Sequence, residues 1–260
     1  MRKRLAVSFL ALTLAGCAAA PATVPIAQTA AVPAPPSKPV AKPTPKPVKP
    51  PDPNARFRSL IQMALKTPRP SHPTVPKLAR LLTRQCRNDQ EKALVLYTWI
   101  ASHIHYDHYA AAHDEARPDQ SGQATLRRGS AVCEGYSRLF VSLAQECGLN
   151  AVKLSGYVKS WDKVVVDDDD RHAWNAAYWD NRWHLLHCTW GAGDIKSGTY
   201  PPEYFDVPPE QMLASHFPDD PAWQLRLRAP MTRYQFDHQC VRQPAFFALG
   251  MELADTWLVQ

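Results

Sequence analysis

Proline decides where this chain can fold. Of its 25 prolines, 12 fall in residues 1–53, where Ala, Pro, Val and Lys dominate after residue 17. Runs such as Lys42-Pro43-Thr44-Pro45-Lys46-Pro47-Val48-Lys49 hold too little bulky apolar mass for a core. They favour extended polyproline II, so some thirty residues reach roughly 100 Å. A core is confined to the chain beyond residue 53, which is long enough for one domain. Charge divides at the same place. Residues 1–53 hold seven Lys/Arg and one acid, the whole of the net +6, while basic and acidic residues balance at 23 each from Asn54 onward. A nucleic-acid-binding domain would carry its basic surplus on a folded face, so that class is excluded.

Arg2-Lys3-Arg4, the apolar run Leu5–Ala15 and the small residues before Cys17 read as a secretory signal over residues 1–16. The apolar run is too short to span a bilayer. Its ending, Leu14-Ala15-Gly16-Cys17, resembles the bacterial lipobox. That resemblance implies lipid on Cys17, stable anchoring by several acyl chains, and, with Ala18 next, an outer-membrane lipoprotein facing the periplasm of a Gram-negative bacterium. Residues 17–53 are then the lipidated Cys and a Pro-rich linker. The linker is a spacer or, alternatively, a tether whose lysines touch anionic wall polymers.

Lipidation of Cys17 leaves Cys86, Cys133, Cys147, Cys188 and Cys240. Five thiols in a compartment that permits disulfides leave at least one odd, either a bystander or a nucleophile. Which of Cys86, Cys147, Cys188 and Cys240 pair cannot be read from sequence. No C-x-x-C occurs, so a zinc ribbon is not supported. His103, His105, His108 and His113 lack an acid in a zincin arrangement and read as structural or solvent-facing, so neither metal nor cofactor is expected.

Apolar spacing predicts helices over 56–66, 77–82, 91–103 and 133–148, with Asn88-Asp89 as a cap and Gly148 as a stop. Residues 113–130 read as polar loop. Strands are predicted over 150–158, 172–179 and 182–189, with Asp180-Asn181 as a tight hairpin turn. Residues 244–260 read as a final strand, a possible start of a β-rich extension. Helices followed by an antiparallel sheet make an α+β fold over residues 54–243.

Cys133 falls in the first turn of an apolar helix, where the helix dipole favours an anion and is expected to lower the thiol pKa. The hairpin turn gives a register sum near 361, which brings His172 and His187 to the same end of the hairpin. A Cys, a His and a third polar residue can thus converge as nucleophile, base and orienter. Trp174 and Trp190 flank them as packing or as walls of a substrate groove. The residue six before Cys133 is Arg127, not a Gln, so no oxyanion side chain is evident beside the Cys133 backbone N–H.

These pieces resemble the transglutaminase-like branch of the papain-like superfamily, in particular its kyphoscoliosis-peptidase type. The matching motifs are Val132-Cys133-Glu134-Gly135-Tyr136-Ser137, His172-Ala173-Trp174-Asn175, Thr189-Trp190-Gly191, and His216-Phe217-Pro218 through Trp223-Gln224-Leu225. The resemblance covers about residues 88–236. It implies Cys133 as nucleophile, His172 as general base, and acyl transfer at a peptide, protein or peptidoglycan amide, by hydrolysis or transamidation. The family's third residue is an Asp, whereas His187 stands here. The alternative is a catalytically degenerate module that binds protein or cell wall.

Overall fold

A computed structural model describes residues 52–251, except 161, 162, 164, 194, 196–199 and 226–228, and nothing of the Ala116 side chain. The signal, Cys17 and nearly all of the linker lie outside the described residues, as do 252–260.

The first three helices are α1 (Ala55–Lys66), α2 (Val75–Thr83) and α3 (Asp89–His103). The Asn88 side chain accepts the Glu91 N–H at 2.9 Å and caps α3 as expected. Glu91 is buried and pairs with Arg56 at 2.9 Å, which pins α1 to α3. A charge so enclosed persists because it is paired and hydrogen-bonded.

Two strands of two residues follow, β1 (His105–Tyr106) and β2 (Ser130–Ala131), paired in parallel. Between them α4 spans His108–Ala112, and the loop expected over 113–130 is corrected by α5, which spans Gly122–Arg128. Each is too short to show helical periodicity. The Ser121 side chain caps α5, and Gly129 closes it at φ +75°. The long helix α6 (Cys133–Glu146) then runs to Gly148, at φ +70°.

Strands β3 (Ala151–Val158), β4 (Arg171–Trp179), β5 (Arg182–Leu186), β6 (Phe205–Val207) and β7 (His216–Pro218) form an antiparallel sheet ordered β6-β5-β4-β3-β7. The hairpin register is the expected one, from Trp179 opposite Arg182 to Asn175 opposite Leu186. Asp180 and Asn181 take φ of 48° and 59°, the left-handed pair that a two-residue turn requires. Strand β5 ends at Leu186 rather than Thr189, because the chain turns into α7 (Cys188–Gly191). Helix α8 spans Pro209–Met212 and α9 spans Arg233–His238.

The final strand expected from residue 244 is also corrected: Pro244–Ala248 is helix α10. Pro244 opens it with φ preset for a helix, and Pro in a first turn removes no needed donor. One core unites α1, α2, α3 and α6 with Ala151, Ala177 and Trp179 of the sheet. Leu154, Trp174, Ala176, Leu185 and Met212 form a second cluster.

Candidate active site

Cys133 owes its place to the parallel pair β1–β2, which delivers the chain to the start of α6. The buried Gln120 side chain accepts the Val132 N–H at 3.2 Å and holds the last residue before the helix. Tyr136, one turn on, donates its hydroxyl to the Ile104 carbonyl at 2.5 Å. Gly135 is a close approach: a Cβ there would stand 2.5 Å from the Ala131 Cβ and 2.6 Å from both Gln120 Oε1 and Thr125 Oγ1.

Strand β4 reaches the sulfur directly. The backbone N–H groups of Ala173, the residue after His172, and of Glu134 both favour the thiolate form of Cys133. The expectation that the helix start lowers the thiol pKa is overturned: burial pushes the Cys133 thiol up, and the two N–H donors only partly offset it. Burial also pulls His172 down to about 4. Both shifts favour a neutral thiol–imidazole pair at rest. Burial opposes the Glu134 charge as well, but Lys153, at 2.8 Å, and Arg138 draw its carboxyl below the usual range.

His187 lies beside His172 as expected, with ring centroids 4.8 Å apart and the planes at 72°. Its hydrogen bond goes elsewhere: Nδ1 meets Nε2 of His216 at 2.8 Å. His216, the first residue of β7, packs its Nδ1 against the Ser215 hydroxyl at 2.8 Å. Nε2 of His172 and Nε2 of His187 are both buried without a hydrogen-bond partner. His216 belongs to a matching motif but not to the expected site, and Gln120 carries no sequence signal, because twelve residues of irregular spacing separate it from Cys133.

The two tryptophans differ. Trp190 is partly exposed and lies against all three imidazoles, with centroids 5.9, 5.3 and 4.8 Å from His172, His187 and His216. Trp174 is only 2% exposed, which agrees with the packing alternative: it lies edge-on to His216. Cys188 is buried, and burial drives its thiol far up, so it is no rival nucleophile. Cys86, Cys133, Cys147, Cys188 and Cys240 are all unpaired. His103 stacks on Trp99 and His113 on Tyr109. Among the described residues no three His, Cys, Asp or Glu side chains gather as a metal site.

A thiol at a helix start, touched by a strand that bears an imidazole, defines a papain-like arrangement of helices and antiparallel sheet. Residues 76–187 match the model of the transglutaminase-like superfamily. It is similar to the kyphoscoliosis peptidases of Mus musculus and Homo sapiens, at 32% identity over 179 residues, covering 65% of this chain and 27% of theirs. Hillarin of Drosophila melanogaster is 28% identical over 223 residues, 76% of this chain and 26% of its own. The chain therefore spans about a quarter of the length of these curated relatives. A solved structure described as a TGase covers 52% of this chain and 31% of its own, at 19% identity and a TM-score of 0.33.

Proposed function

We propose that this protein is an envelope-anchored thiol enzyme that transfers an acyl group from an amide. The electrostatic influence of the Ala173 N–H on the Cys133 thiol carries the reading, because it sets the thiol against the strand that bears His172. His172 takes the thiol proton as sulfur attacks the carbonyl carbon. It then gives that proton to the amine nitrogen as the C–N bond breaks, which leaves a thioester on Cys133. Water or a second amine, deprotonated by His172, attacks the thioester and restores the thiol. A peptide, protein or peptidoglycan amide is the substrate class. Trp190 is the one tryptophan of the pair exposed enough to meet it. Lipid on Cys17 holds the domain at the outer membrane, on a linker long enough to range over the periplasm.

The test is covalent labelling of the folded protein with iodoacetamide and an acyl-donor ester, read by mass spectrometry. The reading expects both labels on Cys133, none in Cys133→Ala, and loss of the acyl label alone in His172→Ala. Acylation elsewhere overturns it. Burial, which disfavours the ionised pair, supports a second reading, a degenerate binding module; alkylation of Cys133 without acylation would decide for it. Cys17→Ser is expected to release the protein from membranes with its fold intact. Membrane association unchanged after washing would remove the anchor.

A further inference from the structure

Helix α6 carries more than the thiol. Glu134, Arg138 and Ser142 recur every four residues, with Val141 beside them, and so form one stripe down the helix from Cys133. An open cavity of about 390 Å³ lies along that stripe, lined by Ser121, Gly122, Arg138, Val141, Ser142 and Lys153. Its volume is that of a small-ligand site. Gly122 lets α5 approach α6 there: a Cβ on it would stand 2.4 Å from Ser142 Oγ. At the helical rise, Arg138 starts about 7 Å and Ser142 about 14 Å along the axis from Cys133. Two to four residues of extended chain cover that distance, at about 3.3 Å each.

Strand β3 supplies the second cation. Lys153 lies opposite Asn175 of β4, and Ser155 lies opposite Ala173, next to His172. Residues two apart share a face, so Ser155 and Lys153 lead from the His172 end of the sheet to the cavity. Lys153 Nζ donates to Ser155 Oγ at 3.0 Å and to Glu134 Oε2 at 2.8 Å. Arg138 Nε donates to Glu134 Oε1 at 2.5 Å. One carboxylate thus holds two cations in place, and the trio keeps one positive charge. Donors remain uncommitted. Among the described residues neither Nη of Arg138 has a hydrogen-bond partner, nor has the Ser142 hydroxyl, and one Lys153 N–H is left over. Ser121 is spent on Asp119 and on the cap of α5.

We propose that this cavity is a substrate subsite for a carboxylate, which makes the preferred acyl donor an acidic peptide. The free edge of the Arg138 guanidinium meets both carboxylate oxygens, and Lys153 and the Ser142 hydroxyl add donors. Glu134 is the strut that orients the fork, since both its oxygens are already bound. The ligand's charge brings the trio to neutrality, which a carboxamide cannot do. The inference rests on the acyl-transfer reading: the Asp, Glu or terminal carboxylate lies two to four residues from the bond that Cys133 attacks.

The test is calorimetric titration of the full chain bearing Cys133→Ala with Ala-Gly octapeptides that carry one Glu, scanned along the peptide, and with twins that carry Gln in its place. The best Glu peptide should bind about tenfold tighter than its twin, the worth of a charge-assisted pair at a part-exposed site. That ratio should fall toward one when Arg138→Gln is added, and only partly with Arg138→Lys, which keeps the charge but loses the fork. The Arg138 side chain is 55% exposed, so neither change disturbs the core. With Cys133 restored, p-nitrophenyl esters of the same peptides should acylate it with the same preference, expressed in KM rather than kcat. Twins that bind equally, a Glu peptide that does not bind, or a preference that survives Arg138→Gln would overturn the subsite. A binding preference without acylation would keep the subsite and retire the reaction; acylation without any binding preference would do the reverse.

Discussion

Asn175 of β4 donates its side-chain amide to the Ser137 carbonyl of α6 and to the Val152 carbonyl of β3, each at 3.1 Å. The residue is fully buried. One amide therefore ties the strand that begins beside His172 to the helix that begins at Cys133. Asn175→Ala is expected to cost about 2 kcal/mol in urea denaturation, the range for losing buried bonds. Asn175→Asp should cost more, since a carboxylate would face two carbonyls. A loss below about 0.5 kcal/mol, the level of a neutral surface change, would show the tie to be idle.

The resting thiol and imidazole shift in opposite senses, so Cys133 holds its proton at neutral pH. Only the thiolate is alkylated. The iodoacetamide rate at Cys133 should keep rising through pH 8 and 9, toward and past the ordinary thiol range. A plateau by pH 7 would mean that the ion pair is already formed at rest.

Stability should fall on acidification through the buried histidines. Burial holds His172 at about 4 and pulls His187 and His216 well below the ordinary 6.5. Above pH 6.5 neither folded nor unfolded chain is protonated at these rings, and stability is complete. Below it the unfolded chain takes up protons that the folded one refuses, so stability drains as pH falls toward the folded values. For His172 alone the span amounts to on the order of 3 kcal/mol. Urea midpoints at pH 7 and pH 5 check this. Equal midpoints would contradict burial of these rings in neutral form.

Gly135→Ala should disturb the nucleophile's seat. The added methyl would press on Ala131, Gln120 and Thr125, which together frame the start of α6. A cost of about 1–3 kcal/mol is expected, as for overpacking, with slower Cys133 alkylation. Gly193→Ala is the control, because its nearest neighbour would be the Trp190 carbonyl at 3.9 Å. Equal effects at both positions would show that Gly135 has no special role.

The hairpin was legible because Asp180-Asn181 admits few turns, and a tight turn fixes every register beyond it. Helices α1, α3 and α6 were legible from apolar spacing over eleven residues or more, and α2 only over 77–82. Pieces of four to seven residues were not. Helices α5, α7 and α10 are held by Ser121, by the exit from β5 and by Pro244, signals that an apolar run outweighs on paper. At the site, Cys133, His172 and His187 stood out because local chemistry and register converge on them. His216 and Gln120 reach it through tertiary placement, which no spacing encodes. The thiol shift was misread because a helix start is visible in sequence and the burial around it is not.

Strand β7 pairs with β3, although nearly sixty residues separate them in the chain. On the ribosome, Cys133, His172 and His187 are therefore all made before His216 can close the sheet edge. The sheet edge at β7, and with it the full surroundings of Cys133, would then close late in synthesis, close to the completion of the domain.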